Sequence, residues 1–173
     1  TAVGYQATAT ATNAVAVGRQ SRADAIDTTA LGSGAIASGQ GAMATGKSAS
    51  ASAEGAIATG ERAFARGRGA ISTGQRASAS GEGAIATGRS ASASGTNALA
   101  VGGDAFASDQ ALAVGSAATA SGEGAIATGR RALASGQAAS AFGAEATSTY
   151  DRSSAVGAGA ATTRKDQIVL GTS

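Results

Sequence analysis

Small apolar and polar residues alternate along this chain with a period of two, in five-residue runs broken by glycine. One run reads Ala77-Ser78-Ala79-Ser80-Gly81 and the next Ala84-Ile85-Ala86-Thr87-Gly88. Period two sends successive side chains to opposite faces, which predicts β-strands. A helix is the competing assignment, since alanine is the best helix former. It fails because the apolar positions do not recur at i, i+3 and i+4. Glycine in a helix interior would also cost roughly 1 kcal/mol each time.

The runs repeat. Glycine recurs every 14 residues at Gly18, Gly32, Gly46, Gly60, Gly74, Gly88 and Gly102, then resumes at Gly115, Gly129, Gly143, Gly157 and Gly171. The step from Gly102 to Gly115 is 13, so one residue is missing near Asp109-Gln110. Each unit holds two strand segments joined by two-residue links, such as Glu82-Gly83 and Arg89-Ser90. One face of each segment is nearly all alanine, as at Ala35, Ala37, Ala63 and Ala65 in the first and Ala56, Ala58, Ala98 and Ala100 in the second. Two alanine faces at matched spacing predict a narrow shared interior, with glycine and short turns at both corners. The expected fold is all-β: a parallel β-roll, or solenoid, of about twelve 14-residue coils stacked as two parallel sheets. At about 4.8 Å per strand the stack is a rod on the order of 58 Å long.

The outward positions of the two walls differ. On the first wall the second outward position reads Thr10, Asp24, Ser38, Ser52, Arg66, Ser80, Ser94, Ser108, Ser121, Ser135, Thr149 and Thr163. None is apolar, so that strip is expected to face water. On the second wall the first outward position carries Val15, Met43, Ile57, Ile71, Ile85, Leu99, Leu112, Ile126 and Ile168. The next carries Val17, Leu31, Val101, Val114, Phe142, Val156 and Leu170 among threonines. Burying such side chains is worth roughly 1.5–3 kcal/mol each, and a contiguous apolar strip of this size marks an interface. With the lumen already full of alanine, the strip predicts an obligate homo-oligomer with the strip at its axis.

Composition narrows the chemistry. The chain has no His, Cys, Pro or Trp, two lysines (Lys47 and Lys165), and a net charge of +2. That balance gives no electrostatic case for a nucleic-acid or membrane-surface partner. The 11 carboxylates are spread along the chain, mostly beside turns, with no cluster suited to acid–base or metal chemistry. The glycine runs lack the strand–loop–helix context of a phosphate loop. No catalytic residue, cofactor, metal or small-molecule substrate is therefore expected, and no apolar run approaches the roughly 18 residues of a membrane-spanning helix.

The runs Asn13-Ala14-Val15-Ala16-Val17-Gly18 and Asn97-Ala98-Leu99-Ala100-Val101-Gly102 resemble the N-S-V-A-I-G motif of YadA-like heads, the head domains of trimeric autotransporter adhesins. The interleaved Ala-x-Ala-x-Gly segments resemble the other half of that family's 14-residue repeat, and the resemblance covers nearly the whole chain. Many coils carry Glu-Gly or Arg-Gly before the apolar strand in place of Asn-Ser, as in Glu54-Gly55 and Arg68-Gly69. The resemblance implies a left-handed roll and a homotrimer. It also implies a single head domain over residues 1–173, part of a longer surface protein whose neck, stalk and C-terminal membrane barrel lie elsewhere. The segment Thr163–Gly171 looks like the one that closes such heads before the neck. The implied location is the surface of a Gram-negative bacterium, with host matrix or cell-surface molecules as partners.

Two features mark a candidate ligand surface. Arginines sit at expected turns, at Arg62, Arg76, Arg130 and Arg131, with Arg66 on the polar wall. Phe64 and Phe106, with Ile36 and Leu133, interrupt the first outward position of that wall. Partial cover by a neighbouring subunit would explain the aromatics, and so would a role as ligand anchors. The leading functional reading is an adhesin head. A solenoid that binds ice or another crystal surface is the alternative, suggested by rows such as Thr8 and Thr10, although Asp24 and Arg66 break any flat matching lattice.

Overall fold

The computed structural model describes residues 1–171. The chain winds as a parallel β-solenoid of about twelve turns with two sheets, one of 13 strands and one of 11, each running in sequence order. The 13-stranded sheet takes the A-h-A-x-G segments, such as Ile85–Thr87, and forms the apolar wall. The 11-stranded sheet takes the A-x-A-x-G segments, such as Ser78–Ala79, and forms the polar wall. Strands pair with the equivalent segment one repeat on, as Ile71 with Ile85 and Ser78 with Ser92. Leu99 pairs with Leu112 and Ala100 with Ala113, so the short repeat keeps its register. The missing residue is absorbed in the turn before Leu112, where the Ala111 N–H donates to the Ser108 carbonyl at 3.2 Å.

Every buried apolar residue described is alanine. The two walls stand so close that only alanine, serine and threonine side chains lie between them, and a larger side chain would overpack the lumen. The alanine rows therefore point inward and the isoleucine row outward, as the face sorting requires. Six hydroxyl residues interrupt the rows: Ser21, Thr28, Ser72, Ser148, Ser153 and Thr162. Most return their protons to nearby oxygens, as Thr28 Oγ1 does to the Ala25 carbonyl at 2.6 Å. Ser148, Ser153 and Thr162 bond to one another, with Oγ–Oγ 2.7 Å and Oγ–Oγ1 3.1 Å. Among the described residues Ser72 Oγ has no hydrogen-bond partner.

Two kinds of corner close each coil. Corner one follows the apolar wall, as in Gly60-Glu61-Arg62-Ala63, where the Ala63 N–H donates to the Gly60 carbonyl at 3.3 Å. Corner two precedes it, as in Gly67-Arg68-Gly69-Ala70, closed at 3.0 Å. The glycine that opens corner one has φ near +130°, as at Gly88 (+133°), a conformation other residues rarely adopt. A Cβ on Gly88 would also lie 2.5 Å from the Gly102 carbonyl oxygen of the next coil. The 14-residue glycine phase thus has two causes, backbone conformation and stacking.

Candidate functional site

The candidate surfaces are rows, because each outward position recurs on every coil. On the apolar wall Ile57, Ile71, Ile85, Leu99, Leu112 and Ile126 stand in one ladder. Each is half-buried by its neighbours above and below and open on its outer side. Towards the ends the strip is more open: Val17, Leu31, Met43, Phe142 and Val156 are exposed, and Ile168 and Leu170 reach 72% and 77%. Val15, Val101 and Val114 are half-buried members of the same two rows. The structure therefore places all sixteen residues of the expected strip on one outward wall.

The polar wall carries the aromatics. Phe64 lies between Ser50 and Ser78 in its ladder, and Phe106 between Ser92 and Thr119. Both rings are half-buried. Arg66 folds back over Phe64, its guanidinium carbon 4.8 Å from the ring centroid, a cation–π contact in open solvent. Phe64 and Phe106 are three coils apart, about 14 Å at the usual strand spacing.

Corner charges pair mainly along the rod, between successive coils of one chain. Arg68 bonds to Glu82, Arg89 to Asp104 (3.5 Å), and Arg130 and Arg131 to Glu145 (3.0 and 3.7 Å). Near the C-terminal end Arg152 bonds to Asp166 at 2.6 Å and Lys165 to Asp151 at 2.9 Å. These contacts hold both carboxyls below the ordinary carboxylate range: Asp166 chiefly through the Arg152 hydrogen bond, Asp151 through Lys165 and then the Gln137 N–H. Among the described residues Arg62, Arg66 and Arg76 form no ion pair with a carboxylate. The sequence-predicted cations are thus of two kinds, with Arg130 and Arg131 engaged and the other three free.

Backbone conformation at the corners escaped the sequence reading. The third turn residue has φ of +52° to +61° even where it is not glycine, as at Arg62 (+55°), Arg76 (+58°), Asn97 (+55°) and Ala138 (+53°). Asn13 (+57°) occupies this place in its coil, and Gly55 and Gly69 (both +64°) occupy it in theirs. The match to the motif therefore shifts by one residue. Gly55 stands for the motif's asparagine and Ala56 for its serine, with Glu54 one place earlier. Asparagine and glycine are exchangeable there because both tolerate a left-handed backbone. The signal was available as the shared preference of Asn, Asp and Gly at one phase of the repeat.

A family model described as the YadA head domain repeat matches residues 1–21, 9–35, 37–63, 65–91, 93–110, 107–132 and 134–160. The chain belongs to the YadA head-repeat family. It is accordingly a head module of the adhesin type. Four solved chains also match, among them the crystal structure of the collagen-binding domain of the Yersinia adhesin YadA. That structure is 21% identical over 94% of this chain and 82% of its own, with a TM-score of 0.42. No curated protein matches. Among the described residues no group of three His, Cys, Asp or Glu side chains is placed to hold a metal ion.

Proposed function

We propose that this YadA-type head assembles as a homotrimer of left-handed rolls and binds host matrix or cell-surface molecules through its outward polar wall and corners. Residues 1–173 are one head domain of a longer surface protein, carried on a stalk and anchored in the outer membrane of a Gram-negative bacterium. The observation that carries this reading is the difference between the two outward walls. One presents an apolar strip, with at least one large apolar side chain on every coil from Val15 to Leu170, that a lone chain leaves open, and the other presents serine, threonine and arginine. An axis along the apolar wall buries the first and turns the second outward on every copy. Family membership supports the adhesive role, and repetition supports its mechanism. Weak contacts recur along each wall and again on each copy, so avidity replaces a deep pocket.

Phe64 and Arg66 on the outward wall form the contact region proposed for the ligand, flanked by the free cations Arg62 and Arg76 where corner one runs into that wall, with Phe106 as a second aromatic anchor. The test is binding of the assembled protein to immobilised matrix proteins, including collagen, the ligand named for the Yersinia head. Phe64→Ser combined with Arg66→Ser is expected to lower binding at least tenfold while the solution mass stays unchanged. Binding through the free arginines is expected to weaken as salt rises. Loss of assembly in the double variant, with binding per assembled particle intact, would instead make Phe64 a subunit contact.

A further inference from the structure

The charges of this chain are sorted between the two edges of the roll. Because all strands within a sheet are parallel, every corner one lies on one long edge and every corner two on the other. Of the ten charged residues at the two middle positions of corner one, seven are basic; of the ten at corner two, seven are acidic. The two edges of one chain face away from each other, so this sorting stabilises nothing within the monomer. The ion pairs seen along each edge need only alternating signs, and segregation works against them.

The two edges also match level by level. A corner of one kind follows the other by half a coil, seven residues. Six pairs of charged residues occupy equivalent turn positions at that separation, and five are opposite in sign: Lys47 with Glu54, Glu61 with Arg68, Glu82 with Arg89, Glu123 with Arg130, and Glu145 with Arg152. Glu54 with Glu61 is the exception. Corner one is acidic at Glu61, Asp104 and Glu145, and at the first and last of these the level residue on corner two is basic, Arg68 and Arg152.

We infer that the two edges form an electrostatic seam between neighbouring copies, with the basic edge of one copy lying level against the acidic edge of the next. The inference rests on the assembly proposed above and adds the charged residues that meet across it. A rotation axis along the rod keeps every copy at the same height and brings corner one of one copy to corner two of its neighbour. An axis across the rod would bury the same apolar wall, but it would bring basic edge to basic edge and acidic edge to acidic edge. The apolar ladder alone does not choose between these arrangements; the edge charges do, by penalising the antiparallel one.

The test uses Lys47 and Glu54, both exposed and neither in an ion pair among the described residues. Lys47→Glu and Glu54→Lys are each expected to raise the concentration at which the assembly half-dissociates by about tenfold, since a like-charged contact recurs at every interface. The double swap is expected to restore it, with both effects shrinking at high salt. Orientation is read directly by a spin label on Gln20→Cys, the chain having no cysteine of its own. Labels near one end at a common level give short inter-label distances; antiparallel copies give distances approaching the rod length. A double swap no tighter than the single variants, or long label distances, would overturn the inference and leave the assembly standing. A monomeric wild type would overturn both.

Discussion

At the scale of single residues, most positions in this chain have one job, and the exceptions carry the information. Ser72 replaces a lumen alanine and leaves its hydroxyl without a partner. A buried unpaired hydroxyl costs about 1–3 kcal/mol. Ser72→Ala is expected to raise stability by about 1 kcal/mol, measured as the denaturation midpoint of the assembled protein. Ala138 holds φ at +53° with an exposed side chain that gains nothing from it. Relief of left-handed strain is worth about 1–2 kcal/mol and the entropy cost of glycine about 0.5–1 kcal/mol, so Ala138→Gly is expected to be stabilising by a few tenths to 1 kcal/mol. The same substitution at the corner-two site of another coil, already Gly124, shows that the fold uses it. The lumen was legible in the sequence because alanine recurs at every inward place. The left-handed corners were less so, because Arg62 and Arg76 disguise positions where Asn and Gly would have announced them.

At the scale of the coil, glycines divide by what stands next to them. Gly88→Ala puts a Cβ 2.5 Å from the Gly102 oxygen at φ +133°, and the neighbour is backbone that has its own coil behind it. Gly124→Ala meets nothing within 4 Å and suffers only its φ of +64°. The first is expected to cost about 3 kcal/mol or more and the second about 1 kcal/mol. Hydrogen exchange should localise the first to the coils flanking residue 88, because a solenoid transmits stability only to nearest neighbours. A uniform loss of protection along the whole rod would contradict that picture. The coil length, the two walls and the site of the missing residue were all readable from glycine phase and alternation. The pairing of corner charges along the rod was not, because ion-pair geometry depends on where long side chains swing, and sequence spacing gives only proximity. The contact of Arg66 with Phe64 was hidden for the same reason: two residues apart on one strand, they share a face, but only the folded chain shows the guanidinium lying over the ring.

At the scale of the whole molecule, the chain is a rod whose thin interior is filled by alanine with a few serines and threonines. Function is therefore displaced to its outside, where one wall is apolar, one is polar, and the two edges carry opposite charge. Each surface follows from a single position in a 14-residue unit, so the sequence could be sorted into faces before any coordinates. The partners of those faces lie beyond one chain. All that this fold proposes about adhesion depends on the apolar ladder from Val15 to Leu170 being covered by further copies, leaving the polar wall to meet a ligand. Light scattering of the purified chain tests this most directly. A particle of three times the 16.1 kDa chain mass is expected, persisting at low micromolar concentration. A stable, folded 16.1 kDa monomer under the same conditions would contradict it.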